Sequence, residues 1–135
     1  MKIRPYLGFN GQCEEAFHRY AQIFNANPPT FFRFGDSPMA GQYPDWADKV
    51  MHVSLPVGDQ MLLGCDAPPQ HDQTVQGMRV CLEFEATAEA ERVYAALSEG
   101  GQIEMALQET FWSYSFAMFA DRFGTPWMIN VSKPM

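Results

Sequence analysis

The chain has 135 residues, of which 47% are hydrophobic and 14% aromatic, and its formal net charge is -7. This length and composition predict a globular protein that buries its own core. The negative charge argues against a nucleic-acid partner, because binding to a phosphate backbone requires a basic surface. No segment approaches the roughly 20 apolar residues of a membrane span, and no apolar signal region opens the chain, so we expect a cytoplasmic protein without a membrane partner.

The first half of the sequence predicts one helix among several strands. Residues 3–9 alternate in polarity, as expected of a strand with one buried face. Apolar positions at helical spacing follow over about 13–25, and Pro28 and Pro29 cannot continue that helix. Further strands are predicted at 30–34, 50–57 and 60–65, with a loop at 35–48 and a hairpin turn at Gly58-Asp59.

The second half repeats this plan with matching residues. The Arg-x-x-Leu-x-Phe pattern of residues 4–9 recurs at 79–84, and Glu-Ala and Tyr-Ala pairs recur in the helix after each strand. Such a repeat predicts two copies of one structural unit. Thr87 is expected to cap the second helix and Gly100-Gly101 to end it. The strands of this half are predicted at 78–85, 103–107, 113–120 and 126–131.

These elements predict a single α+β domain over residues 1–135, built from two βαβββ units. Unit 1 is expected at about 1–66 and unit 2 at about 77–135, with a proline-containing linker at about 67–76. Each sheet is expected to pack one face on its helix, which leaves the other face to line a cup.

Three sequence runs carry a family resemblance: YLGFNG at 6–11, ETFW at 109–112 and DRFGTPW at 121–127. Together with the paired βαβββ plan, they resemble the PhnB-like branch of the vicinal oxygen chelate superfamily, which includes glyoxalase I, bleomycin and fosfomycin resistance proteins and extradiol dioxygenases. The resemblance spans nearly the whole chain. It implies a cup-shaped mixed sheet of the glyoxalase/bleomycin-resistance type with the helices on its outer face.

The same branch is often labelled 3-demethylubiquinone methyltransferase-like. The chain has no glycine-rich strand-to-helix turn of the kind that holds S-adenosylmethionine, and no acidic residue at a ribose-binding distance from one. We therefore treat the label as a historical name and expect no cofactor.

Metal-using members of the superfamily take ligands from the first and last strands of each unit, the last-strand ligand lying four residues after a hairpin glycine. In this sequence the last-strand positions fall on Leu62 and Met128. The first-strand positions fall on Arg4 or the next two residues, and on Arg79 or Val80. None of these is His, Asp, Glu or Gln, and an arginine repels a cation. The resemblance therefore implies that the metal site has been lost.

Several polar and aromatic residues are candidates for a ligand site. His52 is either a hydrogen-bonded strand histidine or a general base that lines the cup. Glu109 is either a turn carboxylate or an acid or base near the mouth of the cup. Phe111 and Trp112 either stack on a ligand or belong to the core or an interface. Asp121 is expected to accept hydrogen bonds from backbone amides in its own turn.

Arg4 and Arg79 occupy equivalent strand positions, and Arg4 shares its face with Tyr6. If the apolar residues of both strands pack on the helices, both guanidinium groups point toward the cup. A half-buried arginine needs a partner, which is either a protein carboxylate or an anionic group of a ligand.

The sequence therefore predicts a metal-free protein that binds a small molecule whose identity cannot be read from the residues. The alternative is an enzyme of the isomerase, lyase or dioxygenase type with a non-standard site around His52 and Glu109. A third possibility is a scaffold whose cup is vestigial. Nine methionines, eleven phenylalanines and three tryptophans are many for one small core, which predicts a homodimer.

Overall fold

The computed structural model describes residues 1–38, 40–67 and 76–134. The chain divides into two compact units, Met1–Thr74 and Val75–Met135. Each unit contains one α-helix and one four-stranded mixed sheet, which confirms the α+β class and the repeated βαβββ plan. Most of the predicted linker, residues 68–75, lies outside the described ranges.

Unit 1 places one helix on a sheet in which only the first strand is parallel to its neighbour. Its elements are β1 (Tyr6–Phe9), α1 (Cys13–Ile23), β2 (Thr30–Arg33), β3 (Val50–Val57) and β4 (Gln60–Asp66). The strand order is β1-β4-β3-β2, with β1 parallel to β4 and the other pairs antiparallel. Two short 3-10 turns, Phe34–Asp36 and Pro44–Trp46, lie in the segment predicted as a loop.

The core of unit 1 follows the predicted helical spacing with two corrections. The predicted apolar positions of α1 are buried, except that Ile23 is buried in place of Phe24. Ile3 falls on the apolar face of the alternating pattern over 3–9, which predicts a buried side chain, but it is 90% exposed, since β1 begins only at Tyr6. The Pro5 carbonyl accepts a hydrogen bond from the Leu63 N–H of β4, just before β1 begins. Ile3 lies two residues earlier, ahead of the point where the chain pairs with β4.

Unit 2 repeats the arrangement of unit 1. Its elements are β5 (Val80–Glu83), α2 (Thr87–Ser98), β6 (Gln102–Gln108), β7 (Ser113–Ala120) and β8 (Pro126–Ser132). The strand order is β5-β8-β7-β6, with only β5 and β8 parallel.

The ends of unit 2's first elements differ from the prediction. Met78 precedes β5 and is 74% exposed, so it does not belong to the buried strand face. Thr87 is the first helical residue of α2, while Ala86 holds the cap position without a side-chain bond. Gly100 has φ +77 and follows α2, as predicted for a helix-ending glycine.

Alternation along the strands separates two faces in each sheet. In β8, Trp127, Ile129 and Val131 are buried on the side of α2, which leaves Met128 and Asn130 on the opposite side. We call the side opposite the helix the helix-free face of each sheet. In the described ranges, no helix is both long and apolar enough to cross a membrane.

Candidate functional site

On the helix-free face of unit 1, Tyr6 of β1 and His52 of β3 meet across β4. The Tyr6 hydroxyl lies 3.1 Å from His52 Nδ1, and the two ring centroids are 5.7 Å apart. On the intervening strand β4, Leu63 is in register with Tyr6 on one side and with Ser54, two residues after His52, on the other. Both polar side chains are exposed, so a ligand on this face would reach them.

Burial controls the protonation of the groups beside His52. Partial burial, and then the neighbouring Cys65, raise the pKa of Tyr6 to about 12. Burial also raises the pKa of the Cys65 thiol. Near neutral pH, Tyr6 and Cys65 are therefore uncharged, and the phenol keeps a proton that it can donate.

On unit 2, Arg79 has a carboxylate partner. Its Nη2 donates to Glu104 Oε1 at 2.5 Å, and this bond lowers the pKa of Glu104. The Glu104 side chain is 49% exposed, so the net stabilisation from this pair is small. Arg79 Nη1 is buried and has no hydrogen-bond partner among the described residues. The sequence did not decide whether the partner of Arg79 is a protein carboxylate or a ligand. In the structure the partner is the Glu104 carboxylate of β6.

This ion pair lies at the wall of an open depression of about 730 Å³ on unit 2. Methionine and proline side chains supply much of the apolar lining, and Arg79 with Glu104 supplies the charge. The lining residues are Gln76, Gly77, Met78, Arg79, Cys81, Glu104, Ala120, Gly124, Pro126 and Met128.

A second polar cluster on unit 2 joins β5 to β8. Glu83 Oε2 accepts hydrogen bonds from Asn130 Nδ2 at 2.9 Å and from Ser132 Oγ at 2.7 Å. Asn130 Oδ1 is buried and has no partner within the described part of the chain. No motif in the sequence predicts this cluster, because Glu83 lies 47 positions from Asn130 and 49 from Ser132 and meets them only through the parallel β5–β8 pairing.

Strand register corrects one of the positions that the family resemblance assigns to metal ligands. Cys81 pairs with Met128 in unit 2, and its repeat counterpart Tyr6 pairs with Leu63 in unit 1. Leu63, and not Leu62, is therefore the counterpart of Met128. Leu62 is buried at 6% exposure, and a shift of one residue turns a side chain to the other face of a sheet.

The residues at these positions do not fit the metal ion that the fold family implies. Leu63 has no donor atom and the Met128 thioether is a weak ligand. Tyr6 and Cys81 both keep their protons near neutral pH, because burial raises the pKa of each group. A divalent cation needs three or four converging donors. The part of the chain that the structure describes contains no group of three or more His, Cys, Asp or Glu side chains that could hold one.

The remaining candidate residues are distributed over both units. Arg4 is exposed, precedes β1 and makes no ion pair with any described residue. Glu109 forms an ion pair with Lys133 at 2.6 Å, within unit 2, whereas His52 belongs to unit 1. Phe111 is 81% exposed and packs edge-on against Trp112, with ring centroids 4.8 Å apart.

Asp121 is a buried structural carboxylate, which confirms the sequence prediction. Its Oδ1 accepts hydrogen bonds from the backbone N–H groups of Phe123 at 2.9 Å and Thr125 at 3.0 Å. Its Oδ2 accepts a bond from Trp127 Nε1 at 2.8 Å. The DRFGTPW run is therefore explained by one carboxylate that closes the β7–β8 turn and holds the indole.

Asp66 performs a similar structural task in unit 1, although the sequence placed it at the edge of the linker. It ends β4, is 1% exposed, and its Oδ1 accepts bonds from the N–H groups of Gly11 and Cys13 at 2.9 Å. Its Oδ2 accepts a bond from the Val50 N–H at 3.0 Å. This carboxylate ties the start of α1 to β3.

The two βαβββ units have the fold of glyoxalase/bleomycin resistance proteins. The chain matches the fold of a glyoxylase/bleomycin resistance protein/dioxygenase domain from Frankia sp. EAN1pec, with a TM-score of 0.67, 11% identity and coverage of 98% of both chains. A family model described as 3-demethylubiquinone-9 3-methyltransferase matches residues 1–130, and the chain belongs to this PhnB-like family.

Two relatives are similar over almost their entire length. The protein YjdN of Escherichia coli (strain K12) is 33% identical over 144 residues, which cover 98% of this chain and 97% of YjdN. The crystal structure of protein PA1353 from Pseudomonas aeruginosa has 43% identity and a TM-score of 0.89, with 99% of each chain covered. Neither name states an activity.

Proposed function

We propose that this protein binds a small molecule that carries an anionic group, and that the group is held by Arg79 on the helix-free face of unit 2. The observation that carries this proposal is the Arg79–Glu104 pair at the wall of the depression. The volume of about 730 Å³ lies in the range typical of ligand pockets. Methionine side chains such as Met78 and Met128 adapt to ligands of different shapes.

Glu104 marks where a carboxylate fits against Arg79. Because Glu104 is half exposed, an incoming carboxylate or phosphate can displace it at little net cost. A ligand that uses both guanidinium nitrogens would also pair Nη1, which lacks a partner among the described residues. A buried donor without a partner is costly, so its pairing favours the bound state.

The test is a thermal-shift screen of carboxylates and phosphates, followed by calorimetry of the best compound on variants. Arg79→Met is expected to weaken binding at least about 10-fold, and Glu104→Gln to tighten it about 3-fold, because the competing carboxylate is removed. Arg92 and Glu89 form a comparable exposed pair on α2, at 2.8 Å. Arg92→Met and Glu89→Gln are therefore matched controls that should leave affinity unchanged. Unchanged binding in Arg79→Met would refute the proposal.

Binding without catalysis requires no cofactor, and we propose neither methyl transfer nor metal chemistry for this chain. The absence of a glycine-rich strand-to-helix turn from the sequence supports this view. We also propose that both units form one domain of a cytoplasmic homodimer. Large exposed apolar side chains among the described residues support an interface, notably Phe111 at 81% and Met78 at 74% exposure.

A second candidate function is an enzyme of the isomerase, lyase or dioxygenase type that uses His52. The contact of 3.1 Å between Tyr6 and His52 Nδ1 favours it, since catalytic histidines are commonly oriented by a second polar group. Glu109 is not needed in this site, because Lys133 already pairs with it. Once a substrate is known, His52→Ala should abolish turnover.

A further inference from the structure

We infer that Tyr6 fixes His52 as a hydrogen-bond donor through Nε2, which makes the helix-free face of unit 1 a site for a carbonyl or carboxylate oxygen on a flat apolar molecule. The inference deepens the second candidate function and rests on it. It assigns His52 an electrophilic role in place of the general-base role that the sequence suggested. It is independent of the Arg79 site.

The first step concerns the phenol proton. Tyr6 has one proton to donate, and its pKa of about 12 keeps that proton in place near neutral pH. Two acceptors lie near the hydroxyl, His52 Nδ1 at 3.1 Å and the Cys65 sulfur. An imidazole nitrogen is a much stronger acceptor than a thiol sulfur. Tyr6 therefore donates to His52 Nδ1.

The second step concerns the imidazole. A neutral imidazole that accepts at Nδ1 carries its own proton on Nε2. No described residue pairs with His52 Nε2, and the side chain is exposed. The Nε2–H group is therefore available to a ligand. A fixed N–H donor binds an oxygen acceptor and stabilises negative charge that develops on it.

The surroundings define the rest of the ligand. Phe32 of β2 is in register with His52 and is 47% exposed. Cross-strand partners share one face of a sheet, so Phe32 and His52 project from the same face. Tyr6 lies on the other side of His52, and Leu63 is next to Tyr6 on β4, so aromatic and aliphatic side chains share the face that carries the donor. An oxygen attached to a flat apolar body fits this arrangement.

The tautomer is tested by long-range ¹H–¹⁵N NMR on the full chain with assigned histidines. We expect the wild-type His52 proton on Nε2. In Tyr6→Phe the Nδ1 resonance should move downfield, because that nitrogen loses its donor, and in Cys65→Ala it should stay in place. A wild-type proton on Nδ1, or a Nδ1 shift in Cys65→Ala but not in Tyr6→Phe, would overturn the inference.

Binding is tested with benzoate, a carboxylate on a flat apolar ring, by following the resonances of His52 and Phe32. His52→Gln places an amide N–H near the position of Nε2 but cannot act as a base, so we expect its affinity to stay within about 3-fold of wild type. His52→Ala should lose at least about 10-fold. His18→Gln, which changes an exposed histidine on α1, is the control.

Benzoate bound equally well by wild type and His52→Ala, or no response of His52 to benzoate, would overturn the donor site. Arg79→Met separates this result from the site on unit 2. That variant should leave the His52 and Phe32 responses unchanged, whereas it removes any benzoate response at the unit 2 depression. Failure of one site therefore does not imply failure of the other.

Discussion

Two buried carboxylates each accept hydrogen bonds from a set of N–H donors that the fold would otherwise leave unpaired. Asp66 and Asp121 are 1% and 4% exposed, and each accepts three hydrogen bonds. Charged hydrogen bonds of this kind are stronger than neutral ones. Both residues therefore stabilise their own unit. The residues that we propose bind ligands, Arg79 and His52, lie on the helix-free faces.

We predict that Asp121→Asn lowers the free energy of unfolding by about 2–3 kcal/mol, because one acceptor oxygen becomes an NH₂ group that faces an N–H donor. Urea denaturation followed by tryptophan fluorescence measures the loss. Asp59→Asn, in the exposed Gly58-Asp59 turn, is the control and should change stability by less than about 0.5 kcal/mol. Equal effects of the two substitutions would contradict the structural role of Asp121.

At the scale of single residues, the sequence predicted the environment of Asp121 but not that of Asp66. The Asp121 bonds are made to residues two to six positions along the chain, and turn chemistry anticipates local bonds of this kind. The Asp66 bonds reach residues 16 to 55 positions away. The parallel β1–β4 pairing brings Gly11 and Cys13 to Asp66, and the antiparallel β3–β4 pairing brings Val50.

At the scale of elements, close packing of α1 on β4 depends on one missing side chain. A Cβ atom on Gly64 would lie 2.7 Å from Phe17 Cε1 and 2.8 Å from the Leu7 carbonyl oxygen. The Phe17 side chain is fully buried, so it has no space to move away. Gly64 therefore sets the distance between the helix and the sheet of unit 1.

We expect Gly64→Ala to destabilise the protein by about 1–3 kcal/mol through overpacking. Gly8→Ala, on β1 of the same sheet, is the matched control, since a Cβ there meets nothing within 4 Å. Calorimetric melting should show a clear decrease for the first variant and little change for the second. Similar melting temperatures for Gly64→Ala and the wild type would show that α1 and β4 are less tightly packed than described.

Hairpin length explains why one ligand position was wrongly assigned. Counting four residues from Gly58 gives Leu62, but strand register aligns Leu63 with Met128. The hairpin loop has two residues in unit 1, between the paired Val57 and Gln60, and five in unit 2, between the paired Ala120 and Pro126. Sequence periodicity cannot fix a register to one residue across turns of different length. The change from Leu62 to Leu63 adds no metal donor, because Leu63 is also apolar.

For the whole molecule, we predict purification without a stoichiometric transition metal. Elemental analysis for zinc, nickel, iron and manganese after dialysis should give far less than one ion per chain, because too few donors converge in the described residues. About one retained ion per chain would contradict this prediction.

We also predict a homodimer in solution. Light scattering after size exclusion should give about twice the 15.3 kDa mass of one chain, and the mass should hold across the micromolar range. The physical reason is the exposed apolar surface at Phe111, Met78 and Ile103, which association would remove from water. A monomer mass at every micromolar concentration would disprove the prediction.

The sequence by itself determined the repeated βαβββ plan, the helical core positions and the role of Asp121. Each of these depends on the local spacing of apolar residues or on contacts within a few positions along the chain. Both can be read directly from the sequence. Only the tertiary structure decided that Glu104 pairs with Arg79, that Tyr6 meets His52, and that Asp66 anchors α1. These contacts join residues 25 to 53 positions apart, and strand order with register brings them together.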